Sequence, residues 1–399
     1  MFLRISPIIL ALVLLSGCGG EVISKTEAKP PDPPKPPKSV PMWLGNTSRT
    51  FYGTGPWSDA PLEVVWEFET KFITGRLHKD PWGGSSWPGQ PSVNEKYVYF
   101  GSADGNLYCL DVNDGSLVWK YKTGDSLKAT PTIAGDRLIA SGLDHHIYCI
   151  DAHTGFLIWK FKTGFEVDCS AAVIDGRVYF GSEDGFFYAL SLDDGSLIYK
   201  TERLGSMEGS FSAVNGRAYI GTEQGDLFCL NLSDGSTVWK ARIGADSDST
   251  PAVHEGMVYT AAENGYVYAF RQSDGELVWK FKADRGGTAK EKNGFWASPI
   301  VANGRVHIGS SNNYLYSLTA DKGEVVWRYR ARGSIWGTSP VVDGRVVFGD
   351  KAGWIHSVSA ADGEKISELK IGDNINATPA ILNGRIYIGA FNGKLYCLK

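Results

Sequence analysis

The chain has 399 residues, a formal net charge of −4, and an excess of glycine and tryptophan, 48 and 13. A slightly acidic balance offers no basic face for nucleic acid, so no nucleic-acid partner is expected. Glycines and aromatics at even spacing instead suit many short strands joined by tight turns.

The N-terminus reads as an export signal. Arg4 supplies the positive charge, and Ile5 to Leu15 is an apolar run broken only by Ser6 and Pro7. About 11 residues is too short for a membrane span, which needs roughly 20. The run ends in Leu15, Ser16, Gly17 and Cys18, which resembles a lipobox. This predicts a signal peptide over 1–17 and acyl chains on Cys18 that hold the protein to a bilayer. Gly19 follows the cysteine instead of an acidic residue. By resemblance to lipoprotein sorting signals, that implies the outer membrane, with the folded body in the periplasm. Seven prolines between Pro30 and Pro41 favour polyproline II, so 18–41 is expected to be a stiff linker. Residues 42–60 are expected to form an extended lead-in.

From residue 61 to 399 the chain repeats. Equivalent segments begin at Gln90, Thr130, Ser170, Ser210, Thr250, Ser298, Ser339 and Thr378, at intervals of 40, 40, 40, 40, 48, 41 and 39 residues. Each holds four short apolar runs separated by Gly turns. Asp175-Gly176, Asn215-Gly216, Asn303-Gly304, Asp343-Gly344 and Asn383-Gly384 suit type I′ hairpins between first and second strands. A four-stranded sheet cannot bury both faces alone, so a period near 40 predicts radially stacked blades. The last repeat stops after three strands. The segment 61–69, containing Trp66, is expected to supply its fourth strand and close an all-β, eight-bladed propeller. The spacing Gly-x-x-x-Trp recurs at Gly115/Trp119, Gly155/Trp159, Gly235/Trp239, Gly275/Trp279 and Gly323/Trp327, with Tyr199 and Ser367 in the Trp place elsewhere. Those tryptophans read as core.

The segments Cys149 to Trp159 and Cys109 to Trp119 resemble the tryptophan-docking motif Ala-x-Asp-x-x-x-Gly-x-x-x-Trp of pyrroloquinoline-quinone repeat propellers. Ala189 and Ala269 match its small residue, whereas Ser191, Asn231, Arg271, Thr319 and Ser359 replace its Asp. Two families share that fold. Quinoprotein dehydrogenases hold the quinone between a Trp and a disulfide of adjacent cysteines, beside calcium; this chain has no adjacent cysteine pair and is shorter. The outer-membrane β-barrel assembly lipoproteins of the BamB family match in lipobox, blade count and size. The resemblance to them implies a non-enzymatic scaffold without cofactor, docking an envelope protein such as the outer-membrane assembly machinery. A propeller that binds a quinone cofactor, or a sugar or peptide, is the alternative.

Cys109, Cys149, Cys229 and Cys397 share one repeat position and are expected to be small core residues without disulfides, and Cys169 to sit in a loop. No histidine spacing suits a metal. Large insertions fall between Trp66 and Pro91 and between Trp279 and Pro299, and bring Trp82, Trp87 and Trp296 to the rim that also carries Trp336. Long loops on a rigid scaffold often carry function, and Trp is enriched at interface hot spots. Asp168, Glu208 and Asp248 stand three residues before the first-strand Pro position of consecutive blades. They should form an acidic arc at the same mouth for a cationic partner. The hydroxyls of Thr130, Ser170, Ser210, Thr250, Ser298, Ser339 and Thr378 are expected to cap their own first strands. Arg137, Arg177, Arg217, Arg305, Arg345 and Arg385 should form ion pairs on the opposite rim.

Overall fold

The computed structural model describes residues 38–50, 52–71, 89–284 and 294–399. The signal segment, Cys18, most of the Pro-rich linker, Trp82 and Trp87 lie outside the described residues. Among the described residues every regular element is a β-strand, and the strands form eight antiparallel sheets. Blade 2 shows the pattern, with Thr132–Ala134 innermost, then Arg137–Gly142, His146–Asp151 and Leu157–Lys162 outermost. Its two middle strands are buried along nearly their whole length. Neighbouring blades cover both faces, so these strands read as continuous apolar runs instead of alternating ones. The outer strand alternates around the buried Trp159.

Blade 8 joins the two ends of the described chain. Val64–Glu69 pairs antiparallel with Lys394–Leu398, Trp66 opposite Cys397 and Phe68 opposite Leu395. All eight outer strands slip register by one residue just before the Trp position, as between Leu157 and Trp159. Such bulges bend an exposed edge away from further strand addition. The predicted hairpins have positive φ at both central residues, for example 48° at Asp175 and 73° at Gly176.

Blades are joined by one repeated contact. The Trp119 indole donates its Nε1–H to Ala152 O at 3.0 Å and lies flat on Gly155, where a Cβ would stand 2.8 Å from the ring. The same pair forms between Trp66 and Gly115, Trp159 and Gly195, Trp239 and Gly275, Trp279 and Gly323, and Trp327 and Gly363. Tyr199 substitutes on Gly235, its hydroxyl donating to Leu232 O at 2.9 Å. Ser367 is the exception for a structural reason. The blade 8 turn that would carry the docking glycine is where the ring is broken, between Leu398 and Val64. Ser367 Oγ there accepts from the Leu62 N–H at 3.0 Å.

Two predictions for the ends of the first strands need correcting. The hydroxyls do not cap their own strands. Each accepts from the preceding blade: Gln90 N–H donates to Thr130 Oγ1 at 2.8 Å, Thr130 N–H to Ser170 Oγ at 2.9 Å, Ser170 N–H to Ser210 Oγ at 2.8 Å, and so on around the ring. Blade 7 contributes Thr338, not Ser339, since Ser298 N–H donates to Thr338 Oγ1 at 3.0 Å and Thr338 N–H to Thr378 Oγ1 at 2.9 Å. On the opposite face, the arginines mostly donate to carbonyls of the following blade instead of forming ion pairs. Arg305 reaches Ala360 O at 3.0 Å and Arg385 reaches Val112 O at 3.2 Å; Arg137 does both, bonding Leu192 O and lying 3.4 Å from Asp193.

The lead-in does more than precede the propeller. It enters beside the blade 1 hairpin, with Ser39–Val40 pairing Val93 and Asn94, and then crosses the inner strands. Pro41 O accepts from Ile133 N–H at 2.7 Å and Thr47 O from Ala213 N–H at 2.7 Å, while Tyr52 Oη both donates to and accepts from the Val301 backbone. Arg49 is fully buried, its Nε donating to Phe211 O at 2.8 Å; burial pushes its guanidinium down to about 9. The central channel is therefore plugged from the hairpin side. The four repeat-position cysteines are buried in third strands as expected, and burial pushes the Cys149 thiol up to about 11.

The docking contact separates from backbone strain at two glycines of similar φ, 75° at Gly275 and 76° at Gly256. Gly256→Ala meets no atom within 4 Å and should cost about 1 kcal/mol for its conformation alone. Gly275→Ala should cost about 1–3 kcal/mol more, because its methyl enters the Trp239 ring. Denaturant unfolding of the two variants checks the order; equal costs would mean that the indole does not rest there.

Candidate functional site

The face opposite the hairpins is built from interblade connections and second-to-third strand loops. On blades 2 to 8 these segments are joined by the same backbone bond, which on blades 3, 4 and 5 runs from Glu183 N–H to Glu166 O at 3.1 Å, from Glu223 N–H to Ser206 O at 3.0 Å, and from Glu263 N–H to Asp246 O at 3.0 Å. The bond fixes side chains from the two segments beside each other. Because blades 3, 4 and 5 carry acids there, the repeat stacks carboxylates into one wall.

Asp168, Glu208 and Asp248 line a cavity of about 70 Å³ at the axis, opposite Trp296 and Trp336 of the next two blades. Sequence reasoning placed these five at one mouth, and the structure brings them together. Trp43, from the lead-in, is also in the lining, and its Nε1–H donates to Thr250 Oγ1 at 3.1 Å. The funnel is thus a blind cup floored by the plug. Glu166, Glu183, Glu223, Asp246 and Glu263 were not singled out from the sequence. The available signal was the residue two positions after the second-strand Gly or its equivalent, which is Glu on blades 3, 4 and 5 but Ala103, Leu143, Ser311, Lys351 and Phe391 elsewhere.

Lys128 Nζ lies 3.1 Å from Asp168 Oδ2, with side chains only 12% and 7% exposed. Asp168 Oδ1, Asp246 Oδ1 and Asp248 Oδ1 are buried without a hydrogen-bond partner. Burial, and then the neighbouring Asp168 carboxylate, push Glu183 and Glu208 well above the ordinary carboxylate range. Asp246 and Asp248 are raised too, by burial first and then by Glu263 and Glu208 respectively. Two sets could hold a metal ion, Glu166 with Asp168 and Glu183, and Glu183 with Glu208 and Glu223; ligand oxygens in each lie within 4.8 Å of one another.

On the other wall Trp296 and Trp336 stack on each other, centroids 4.8 Å apart and planes 8° from parallel. Lys351 Nζ stands 3.7 Å from the Trp336 centroid. A ring and an ammonium cannot share one face at those distances, so both faces of that indole are covered. By the same volume measure a water needs roughly 10–15 Å³, so the cup takes a few waters or the end of a side chain. The described funnel residues therefore do not fit a fused tricyclic quinone: the tryptophan pair is closed, and the described cysteines sit singly in the cores.

Eight four-stranded blades locked by Trp-on-Gly docking define a propeller of the pyrroloquinoline-quinone repeat type. The profile of the family described as "Beta-alanine-activating enzyme, beta-propeller" matches residues 134–398, and the chain belongs to that family. No curated protein matches it significantly. Among solved structures, a europium-containing methanol dehydrogenase superposes with a TM-score of 0.76 at 14% identity, over 91% of this chain and 98% of that one. Quinohemoprotein alcohol dehydrogenase from Comamonas testosteroni gives 0.74 at 14%, over 90% and 80%. BamB from Moraxella catarrhalis gives 0.56 at 15%, over 85% and 99%. At such identities the likeness is one of fold. The expectation that the chain is not an enzyme is overturned, because the family it belongs to is named for an enzyme.

The raised carboxylates set a pH dependence. In chelator-treated protein, thermal stability should fall as pH rises from about 5 to about 8, since the fold retains protons that unfolded carboxylates, near 4.3, have already released. The double variant Glu183→Gln/Glu208→Gln should flatten that fall. An unchanged slope would mean that both groups are ionised in the fold.

Proposed function

We propose that this chain is a lipid-anchored propeller of the outer membrane whose periplasmic funnel grips a cationic segment of an envelope protein, in the manner of an outer-membrane assembly lipoprotein. The observation that carries the reading is the contrast across one blind cup, with carboxylates of blades 3–5 facing the Trp296/Trp336 pair. Asp246 and Asp248 each bury an oxygen without a partner. An incoming lysine or arginine would give those oxygens charge-assisted hydrogen bonds. The lipobox ending at Cys18, and the shared fold of BamB from Moraxella catarrhalis, support the envelope setting and the outer-membrane assembly machinery as partner.

A catalytic reading has one observation in its favour. Carboxyl groups that burial pushes above their ordinary range beside a cavity, as at Glu208 and Asp248, are the kind of group that acid–base chemistry uses. Turnover that Asp248→Asn abolishes while ligand binding persists would select it over docking.

Affinity purification from solubilised envelopes should recover assembly-machinery subunits with the wild-type chain. The Asp168→Ala/Glu208→Ala/Asp248→Ala variant should recover about tenfold less, a loss of roughly 1.4 kcal/mol. Equal recovery would remove the acidic arc as the docking surface. Separately, Cys18→Ser should shift the protein from the membrane pellet to the soluble fraction; retention would place the anchor elsewhere.

A further inference from the structure

We propose that the groove between blades 3 and 4 on the hairpin side binds a ligand carrying one carboxylate and a small apolar group, with Arg177 holding the carboxylate. The site lies on the face away from the funnel, so it stands or fails apart from the docking reading.

The lead-in leaves this part of the hairpin side open. It bonds to the inner strands of blades 1, 2, 4 and 5 through Val40, Pro41, Thr47 and Ser48. It reaches those of blades 6, 7 and 8 through Tyr52, Trp57 and Thr54. Among the described residues it makes no hydrogen bond to the inner strand of blade 3, Ala172–Ile174. Beside that strand lies a groove of about 440 Å³, lined by both hairpins and by Thr47. Small-molecule sites occupy about 300–1,000 Å³, so this groove is large enough for a ligand, whereas the funnel cup is about 70 Å³.

Packing between these two blades also leaves an arginine over. A carbonyl oxygen has two lone pairs. Where an arginine of this rim bonds across to the next blade, it shares one carbonyl with the docking tryptophan. Arg137 and Trp159 meet at Leu192 O, Arg305 and Trp327 at Ala360 O, and Arg385 and Trp66 at Val112 O. On blade 3 both places at Leu232 O are filled, by the hydroxyls of Tyr199 at 2.9 Å and Tyr179 at 3.1 Å. A tyrosine and a tryptophan fill the carbonyl in the same way at Ala152 and Ala320. On the blades that supply those pairs, Tyr97 and Met257 stand in the arginine's place. Blade 3 keeps its arginine. Arg177 reaches only Ser233 O, at 3.5 Å, and no described carboxylate forms an ion pair with it. Its partly buried side chain lines the groove.

These features select the ligand. A guanidinium fork matches a carboxylate with two parallel bonds. Asn215 and Ser233 add polar groups to the lining, and Ile174 and Val214 offer apolar wall for a short alkyl group. Asp175 also lines the groove and would repel further negative charge, so a single carboxylate is preferred to a phosphate. A free peptide C-terminus and a small carboxylic acid share this chemistry.

Calorimetric titration of the purified chain tests both sources. The probes are an N-acetylated tripeptide ending in leucine, the same peptide as its amide, isovalerate, and inorganic phosphate. One saturable site is expected for the peptide acid or isovalerate, with the amide and phosphate at least about tenfold weaker. Tighter binding of the peptide acid would assign the site to a chain end, and equal or tighter binding of isovalerate to a small acid. Arg177→Gln and Arg177→Lys should each lose about tenfold or more, the lysine because it lacks the fork. Neither should lower the thermal midpoint, because Arg177 makes one long bond in the fold. Ser233→Trp, on an exposed turn, should fill the groove and abolish binding, while the exposed Arg330→Gln on blade 6 should leave it unchanged. The proposal is overturned by no saturable binding of either acid, by equal affinity for peptide acid and amide, by a preference for phosphate, or by wild-type affinity in Arg177→Gln.

Discussion

The whole ring depends on an indole resting on a glycine of the next blade. The contact asks two things of the sequence at once. The glycine must adopt positive φ to turn the chain between third and fourth strands, and it must lack a Cβ so that the ring can lie against its backbone. The Nε1–H then reaches a carbonyl three residues before that glycine, so a large apolar surface is buried without stranding its one polar atom. Nearer the axis, the hydroxyl ring holds blades together by a different bond, from backbone N–H to the neighbour's side chain. Adjacent blades are thus held at an outer and an inner radius, which leaves the loops at either face little freedom to tilt.

That rigidity explains how the acidic wall can exist. Carboxylates that repel one another would separate if their loops could move. Here each loop is held by strands on both sides and by the cross-loop backbone bond, so the charges respond by retaining protons instead of moving apart. Stability provided by the tryptophan contacts supports a region that would not assemble by itself. The tryptophan pair opposite is held in a similar way, since Trp296 and Trp336 each sit a few residues before an inner strand.

What the sequence disclosed follows from the same physics. Turn glycines and docking tryptophans recur because every interface needs them, so blade number, hairpins and ring closure through Trp66 could be read directly. Ser367 looked like a lapse in the pattern and is instead its consequence, because no docking glycine follows it. The 41- and 39-residue intervals around Ser339 were a sign of misregister; taking Thr338 restores two intervals of 40. The plug was not legible. Trp43, Arg49 and Tyr52 have no repeat partners, and their contacts are with residues more than a hundred positions away apart from bonds within the lead-in itself. The acidic second tier was missed because it lies in loops that vary from blade to blade, where no packing rule constrains the residue.

The contrast between repeated and unrepeated positions indicates where specificity resides. Repeated positions are fixed by docking, and they say nothing about a ligand because any propeller of this type needs them. The funnel departs from eightfold repetition in an ordered way. Blade 2 offers an ammonium, blades 3 to 5 offer carboxylates, and blades 6 and 7 offer indoles. The plug removes a further symmetry by closing the channel at Trp43, so an occupant must enter and leave by the same mouth. A blind cup with a polar side and an aromatic side suits the end of a chain or a single projecting group, not a strand threaded through the axis. The direction in which such a group would point is then set by the order of the blades, from Lys128 through Asp248 to Trp336.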